Sequence, residues 1–146
     1  RAPSRRRRDP RARAPGIAVT AAVRAATTVV QVAPGADRAR VVLRSGAIAA
    51  RILERRPRYA RVGLVAAGAL LLGGDAVDLR ISVDPGCTLE LEDIGGTVAY
   101  DGQGRRASWS ARIEIGDHGT CTWHGQPFVV AGKVDKFLSS FKRLVK

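Results

Sequence analysis

Residues 70–100 read LLLGGDAVDLRISVDPGCTLELEDIGGTVAY, and their period decides the fold class. An apolar strand reaches a Gly73-Gly74-Asp75 turn. Strict alternation follows, with Val77, Leu79, Ile81 and Val83 on one side and Asp78, Arg80, Ser82 and Asp84 on the other. Pro85-Gly86 interrupts it. Alternation then resumes, Cys87, Leu89 and Leu91 against Thr88, Glu90 and Glu92. A period of 2 sends one face to a core and the other to water, so the stretch reads as a half-buried antiparallel pair joined by a tight turn. The pattern recurs. Residues 83–91 (VDPGCTLEL) align without a gap on residues 115–123 (IGDHGTCTW), 32 residues further on (83 to 115). Repetition of a strand-turn-strand unit predicts stacked sheets, and a broad shaped surface in preference to a catalytic cleft.

Three runs carry a family resemblance: LRSGAIAARIL (43–53), ARVGLVAAGALLLGGDAVDLRISVDPGCTLELEDIGGTVAYD (60–101) and SWSARIEIGDHGTCTWHGQPFVVA (108–131). The strand ending in Gly73-Gly74-Asp75, the V-x-L-x-I-x-V-x-P-G run that follows, and Thr97-x-x-Tyr100 resemble the urease accessory protein family UreD (UreH). The resemblance is to the N-terminal half of the short actinobacterial type. It implies an all-β, stacked-sheet metallochaperone scaffold that works with UreF, UreG and the urease structural subunits. It also implies transient Ni²⁺ with no tightly bound cofactor, and nucleotide hydrolysis left to UreG. The aspartate of the GGD motif falls on Asp75 and the threonine of the second motif on Thr97. With Glu92 from the acidic strand, these are the candidates for a nickel path. Many family members have Lys where this chain has Val98, so no role is carried over there.

The net charge of +12 raises a second class, a basic nucleic-acid-binding module. Its distribution matters more than its size. Residues 1–13 carry +6 and residues 132–146 carry +4, leaving only +2 on 14–131. All four lysines (Lys133, Lys136, Lys142, Lys146) lie at the C-terminal end, a break in composition expected of a tail that does not share the body's origin. A truncated, non-functional UreD fragment is therefore a third reading. The body also offers no aromatic stacking platform, because Trp109, Trp123 and Tyr100 read as core or strand-facing residues.

The expected organisation is a disordered Arg-rich arm (1–16), a β domain (17–131) and a basic tail (132–146). In the tail Val134, Phe137, Leu138, Phe141, Leu144 and Val145 recur at helical spacing, predicting an amphipathic helix. Within the body, 17–32 leaves helix and strand unseparated. Strands are expected at 40–44 and from 47 to 53, 54–58 reads as a connection, and 60–72 as a buried strand broken at Gly68. A hairpin loop at 101–104 would join 98–100 to 107–109, and 128–131 would be the last strand. No run of about 20 apolar residues is present to span a membrane, and no signal peptide is visible, so a cytoplasmic location is expected. Cys87 and Cys121 read as free thiols packing as small hydrophobes.

Two constellations have ligand chemistry. His118, Cys121 and His124 form H-x2-C-x2-H, with donors suited to nickel or zinc, but parity turns Cys121 to the core and His124 to the opposite face, while His118 lies in the turn. Glu90, Glu92, Asp93 and Asp75 form an acidic group that reads either as a solvated face or as a loose oxygen lining for a divalent cation. No nucleophile elbow, phosphate loop or dinucleotide fingerprint occurs, and the chain reads as a non-enzyme.

Overall fold

The alternating runs form strands throughout a computed structural model that describes residues 27–66, 71–100, 102, 104–126 and 129–131. Ten strands follow in chain order: β1 Thr28–Ala33, β2 Arg40–Arg44, β3 Ile48–Arg56, β4 Tyr59–Ala66 and β5 Ala76–Val83. The remainder are β6 Thr88–Asp93, β7 Val98–Tyr100, β8 Ser108–Ile115, β9 Thr120–His124 and β10 Val129–Ala131. No helix occurs among the described residues, so the protein is all-β there. The Arg-rich arm, the tail helix, the break at Gly68, and Asp101 and Gln103 of the expected hairpin loop lie outside the described residues.

Two four-stranded sheets carry the body, ordered β2-β1-β5-β8 and β3-β4-β6-β9, with a small β10-β7 pair beside them. The sheets stack, and the pairing inside each is mixed. β1–β2 and β3–β4 are antiparallel, whereas β1–β5–β8 and β4–β6–β9 run parallel. The expected antiparallel pair from 77 to 91 is therefore corrected. β5 and β6 belong to different sheets, and Pro85-Gly86 is the corner that carries the chain from one to the other. The reason is hydrogen-bond satisfaction. Each strand finds its partner 32 residues away in the next copy of the unit: Ala76 opposite Ser108, Val83 opposite Ile115, Leu89 opposite Cys121. The corners stack as well, Gly86 N–H donating to Asp117 O (2.9 Å) and Thr120 N–H to Cys87 O (2.9 Å).

Two smaller expectations are corrected by the same logic. β7 and β8 do not form a hairpin, since β7 pairs with β10 and β8 with β5. The 54–58 connection shrinks to Pro57-Arg58, because β3 continues to Arg56 through a bulge between Ile52 and Glu54. Pro57 fits a turn position that donates no ladder hydrogen bond.

The core is aliphatic. Val30, Val32, Val77, Leu79, Ile81 and Val83 of one sheet meet Ala60, Val62, Leu64, Leu89 and Leu91 of the other in one buried cluster, with Cys87 at the corner. At about 25 cal/mol per Å² of apolar surface removed from water, each of the large residues contributes roughly 1.5–3 kcal/mol. Thr28 is the exception, a buried hydroxyl that donates to Ile48 O (2.7 Å) and accepts from Gly46 N–H (3.1 Å). It clips β1 to the corner between β2 and β3.

Candidate functional site

The Gly73-Gly74-Asp75 turn opens β5 and is held from two sides. Asp75 Oδ2 accepts from Leu72 N–H (2.9 Å), while Asp75 N–H donates to Leu72 O (3.0 Å), an aspartate closing its own turn. Gly74 N–H donates to Arg106 O (2.9 Å), and Ser108 N–H donates to Asp75 O (2.8 Å). A side chain on Gly73 would meet Gly102 O at 2.5 Å and Gly102 Cα at 2.8 Å. Gly74 adopts φ 97° beneath the Arg105 guanidinium. Both glycines are thus required by close approach of the 102–108 segment and by left-handed backbone. Tyr100 belongs to the same seam through its N–H, which donates to Leu71 O (3.3 Å), and its side chain is exposed. Thr97 precedes β7, half-buried, and its carbonyl accepts from Val129 N–H (2.9 Å).

The remaining acidic residues lie on β6, each with its own partner. Tyr59 O–H donates to Glu90 Oε2 (2.9 Å). Arg61 Nε lies 3.6 Å from Glu92 Oε2, a half-exposed pair that water screens. Asp93 accepts from Trp123 Nε1–H (3.0 Å) and from Gln126 N–H (3.2 Å). Asp75 stands on the other sheet. The four carboxylates therefore act separately, and among the described residues no group of three or more His, Cys, Asp or Glu side chains could hold a metal ion.

The His-Cys-His residues do not converge: Cys121 and His124 take opposite faces of β9, and His118 lies outside it. His118 occupies the corner before β9 with φ 56°, exposed. It takes the place in the second repeat that Gly86, φ 67°, takes in the first. Cys121 faces inward, half-buried, and burial pushes its thiol above the ordinary range. Cys87 is also raised, first by burial, with Arg58 acting in the opposite direction. Both cysteines are free.

One juxtaposition escaped the sequence reading. Glu92 and His124 are register partners on β6 and β9 and point to the same outer face, with Gly63 opposite Glu92 on β4. The signal was present, since adding the repeat length to Glu92 gives His124. An imidazole beside a carboxylate offers two donors to a borderline cation, with Arg61 competing for the carboxylate.

A family model described as "UreD urease accessory protein" matches residues 24–134. The chain is similar to urease accessory protein UreD 1 of Streptomyces griseus subsp. griseus, 49% identical over 71 residues, which covers 49% of this chain and 28% of that protein. It is also similar to UreD 2 of Saccharopolyspora erythraea, 32% identical over 129 residues, covering 83% of this chain and 43% of that protein. UreD 1 of the same organism is 39% identical over 75 residues, covering 51% of this chain and 29% of that protein. The chain spans less than half the length of each of these relatives.

Proposed function

The chain belongs to the UreD urease accessory protein family, and from that premise we propose that it is a scaffold for nickel insertion into apo-urease. In this reading it works alongside UreF and UreG without catalysing a reaction itself. The observation that carries the proposal is the extent of the family match, which runs across both stacked sheets and the β7–β10 pair. Nickel is cargo here and is not a resident cofactor. Separately engaged carboxylates suit such a role, because a path needs sites that hold a cation weakly enough to release it. Asp75 and Thr97 remain the candidates at the turn and at the β7 end, and Glu92, with His124 beside it, the candidate on the sheet face. A cytoplasmic location belongs to the same proposal. No described helix is long and apolar enough to cross a membrane.

The test grafts residues 24–134 in place of the matching region of the Streptomyces griseus relative. The graft is then expressed with urease structural subunits, UreF and UreG in cells lacking their own UreD. Nickel bound to purified urease is the readout. Loading comparable to that given by the parent relative is expected. A folded graft that leaves urease empty, while the parent loads it, overturns the reading. Asp75→Ala combined with Thr97→Val in the graft should lower nickel content while complexes with UreF still assemble. Undiminished loading removes those two residues from the path.

A further inference from the structure

The outer face of the β2-β1-β5-β8 sheet sets arginines from three of its four strands in one row. Register places Arg44 opposite Val29, Val29 opposite Arg80, and Arg80 opposite Arg112. Three arginines thus share one row across four strands, two of them directly opposed on neighbouring strands. Like charges so placed cost stability in a sheet. Asp78 offsets part of this, with Arg80 Nε 3.5 Å from Asp78 Oδ2, but the same carboxylate also accepts from Thr27 Oγ1 (2.9 Å) and Ser110 Oγ (3.0 Å). Among the described residues, Arg44 and Arg112 form no salt bridge. The row lines a shallow concavity of about 460 Å³, and Val29, Val42 and Glu114 share it. Val42 is 56% exposed, a large apolar side chain left in water beside the arginines.

We propose that this concavity is a docking surface for an acidic, partly apolar segment of a partner protein, laid across the strands. Guanidinium groups match carboxylates in charge and in planar geometry. Strands lie about 4.8 Å apart, so Arg44 and Arg80, two strands distant, are about 10 Å apart along the row. An extended segment with carboxylates four residues apart sets them about 13 Å apart at roughly 3.3 Å per residue, within reach of the two long arginine side chains, and puts the residue midway on the same face. An apolar side chain between the carboxylates falls on Val29 and Val42. The mixture argues for a peptide over a nucleic acid. A phosphate backbone has nothing to place on two valines, and a continuous line of phosphates would run against Glu114, two residues from Arg112 on β8.

The test uses the full chain and a short fluorescein-labelled peptide of repeating Glu-Ser-Val-Ser, which puts glutamate and valine on one face, followed by anisotropy at two salt concentrations. Arg80→Gln with Arg112→Gln should weaken binding about tenfold or more, as loss of two charged anchors does. The charge-matched pair Arg51→Gln with Arg55→Gln, on the other sheet, should change it less than about twofold. Glu114→Gln should tighten it, a gain that a purely structural role for this residue does not produce. Thermal midpoints confirm folding, and Arg112→Gln should raise the midpoint because it relieves the opposition to Arg80. Equal losses from the two arginine pairs, or no loss from either, overturn the site. A thymidine oligonucleotide that depends on Arg80 and Arg112 as strongly as the peptide does overturns the peptide assignment.

Discussion

The β5–β6 unit and the β8–β9 unit are two copies of one pattern in one register, yet their inward side chains have different fates. Leu79, Leu89 and Leu91 of the first are fully buried. Their partners Ala111, Cys121 and Trp123 are only half-buried, because β8 and β9 are the last of the described strands in their sheets. Alternation states which side chains share a face. What that face contributes depends on how many neighbours cover it, and the inner copy is covered on both flanks while the outer copy is covered on one.

Ile81 and Ile113 give the strongest test, being the same residue at partnered positions. Ile81→Ala should cost about 3–4 kcal/mol, in the range for a buried isoleucine, and Ile113→Ala about half of that. Urea denaturation measures both, and equal losses break the comparison. The seam between the copies should be next in size. Gly73→Ala drives a methyl into the Gly102 backbone and should cost about 2 kcal/mol, read in the same assay. The corners should respond with opposite signs. His118→Gly should stabilise by about 1 kcal/mol, since histidine holds φ 56° there, whereas Gly86→Ala should destabilise by about as much. A matching sign at both would show that the corners are not equivalent. Asp75→Ala should cost about 1 kcal/mol through the lost turn hydrogen bond.

The smallest effect is a pH dependence. Tyr59 is raised above 10.0, first by burial and then by its hydrogen bond to Glu90. A raised folded-state value favours the protonated phenol in the native protein. The linked stability is therefore fully present below the ordinary tyrosine range and is lost as pH climbs through the folded value. Tyr59→Phe should make that alkaline limb shallower, the raised thiols of Cys87 and Cys121 supplying the rest, while leaving stability at neutral pH within about 1 kcal/mol. An unchanged limb would place the titration elsewhere.

Much of this fold was legible in the sequence because strand period and repeat length are local facts. The core residues from Val77 to Leu91 follow from alternation, and the stacking follows from the 32-residue offset. The pairing did not follow, since a corner such as Pro85-Gly86 and a hairpin turn use the same residues and differ only in which strand supplies the hydrogen bonds. The role of Gly73 and Gly74 was likewise hidden, because what crowds them is Gly102 and Arg105, about thirty residues away. Among the site candidates, the separation of Cys121 from His124 was readable from parity, and that of His118 from its place in the turn. The Glu92–His124 pair and the Arg80–Arg112 opposition needed only the offset applied to the polar face as it had been to the apolar one.

The chain has two tryptophans, and both lie in the outer copy, Trp109 on β8 and Trp123 on β9, ring centroids 5.6 Å apart and tilted by 41°. Its intrinsic fluorescence is therefore a local optical probe of the last layer, with emission set by an indole pair half in water and hydrogen-bonded through Trp123 to Asp93. Far-ultraviolet ellipticity averages over every strand. A melt followed in both signals separates loosening of that layer from collapse of the whole, and quenching by acrylamide or a blue shift of the emission registers the moment another molecule covers it.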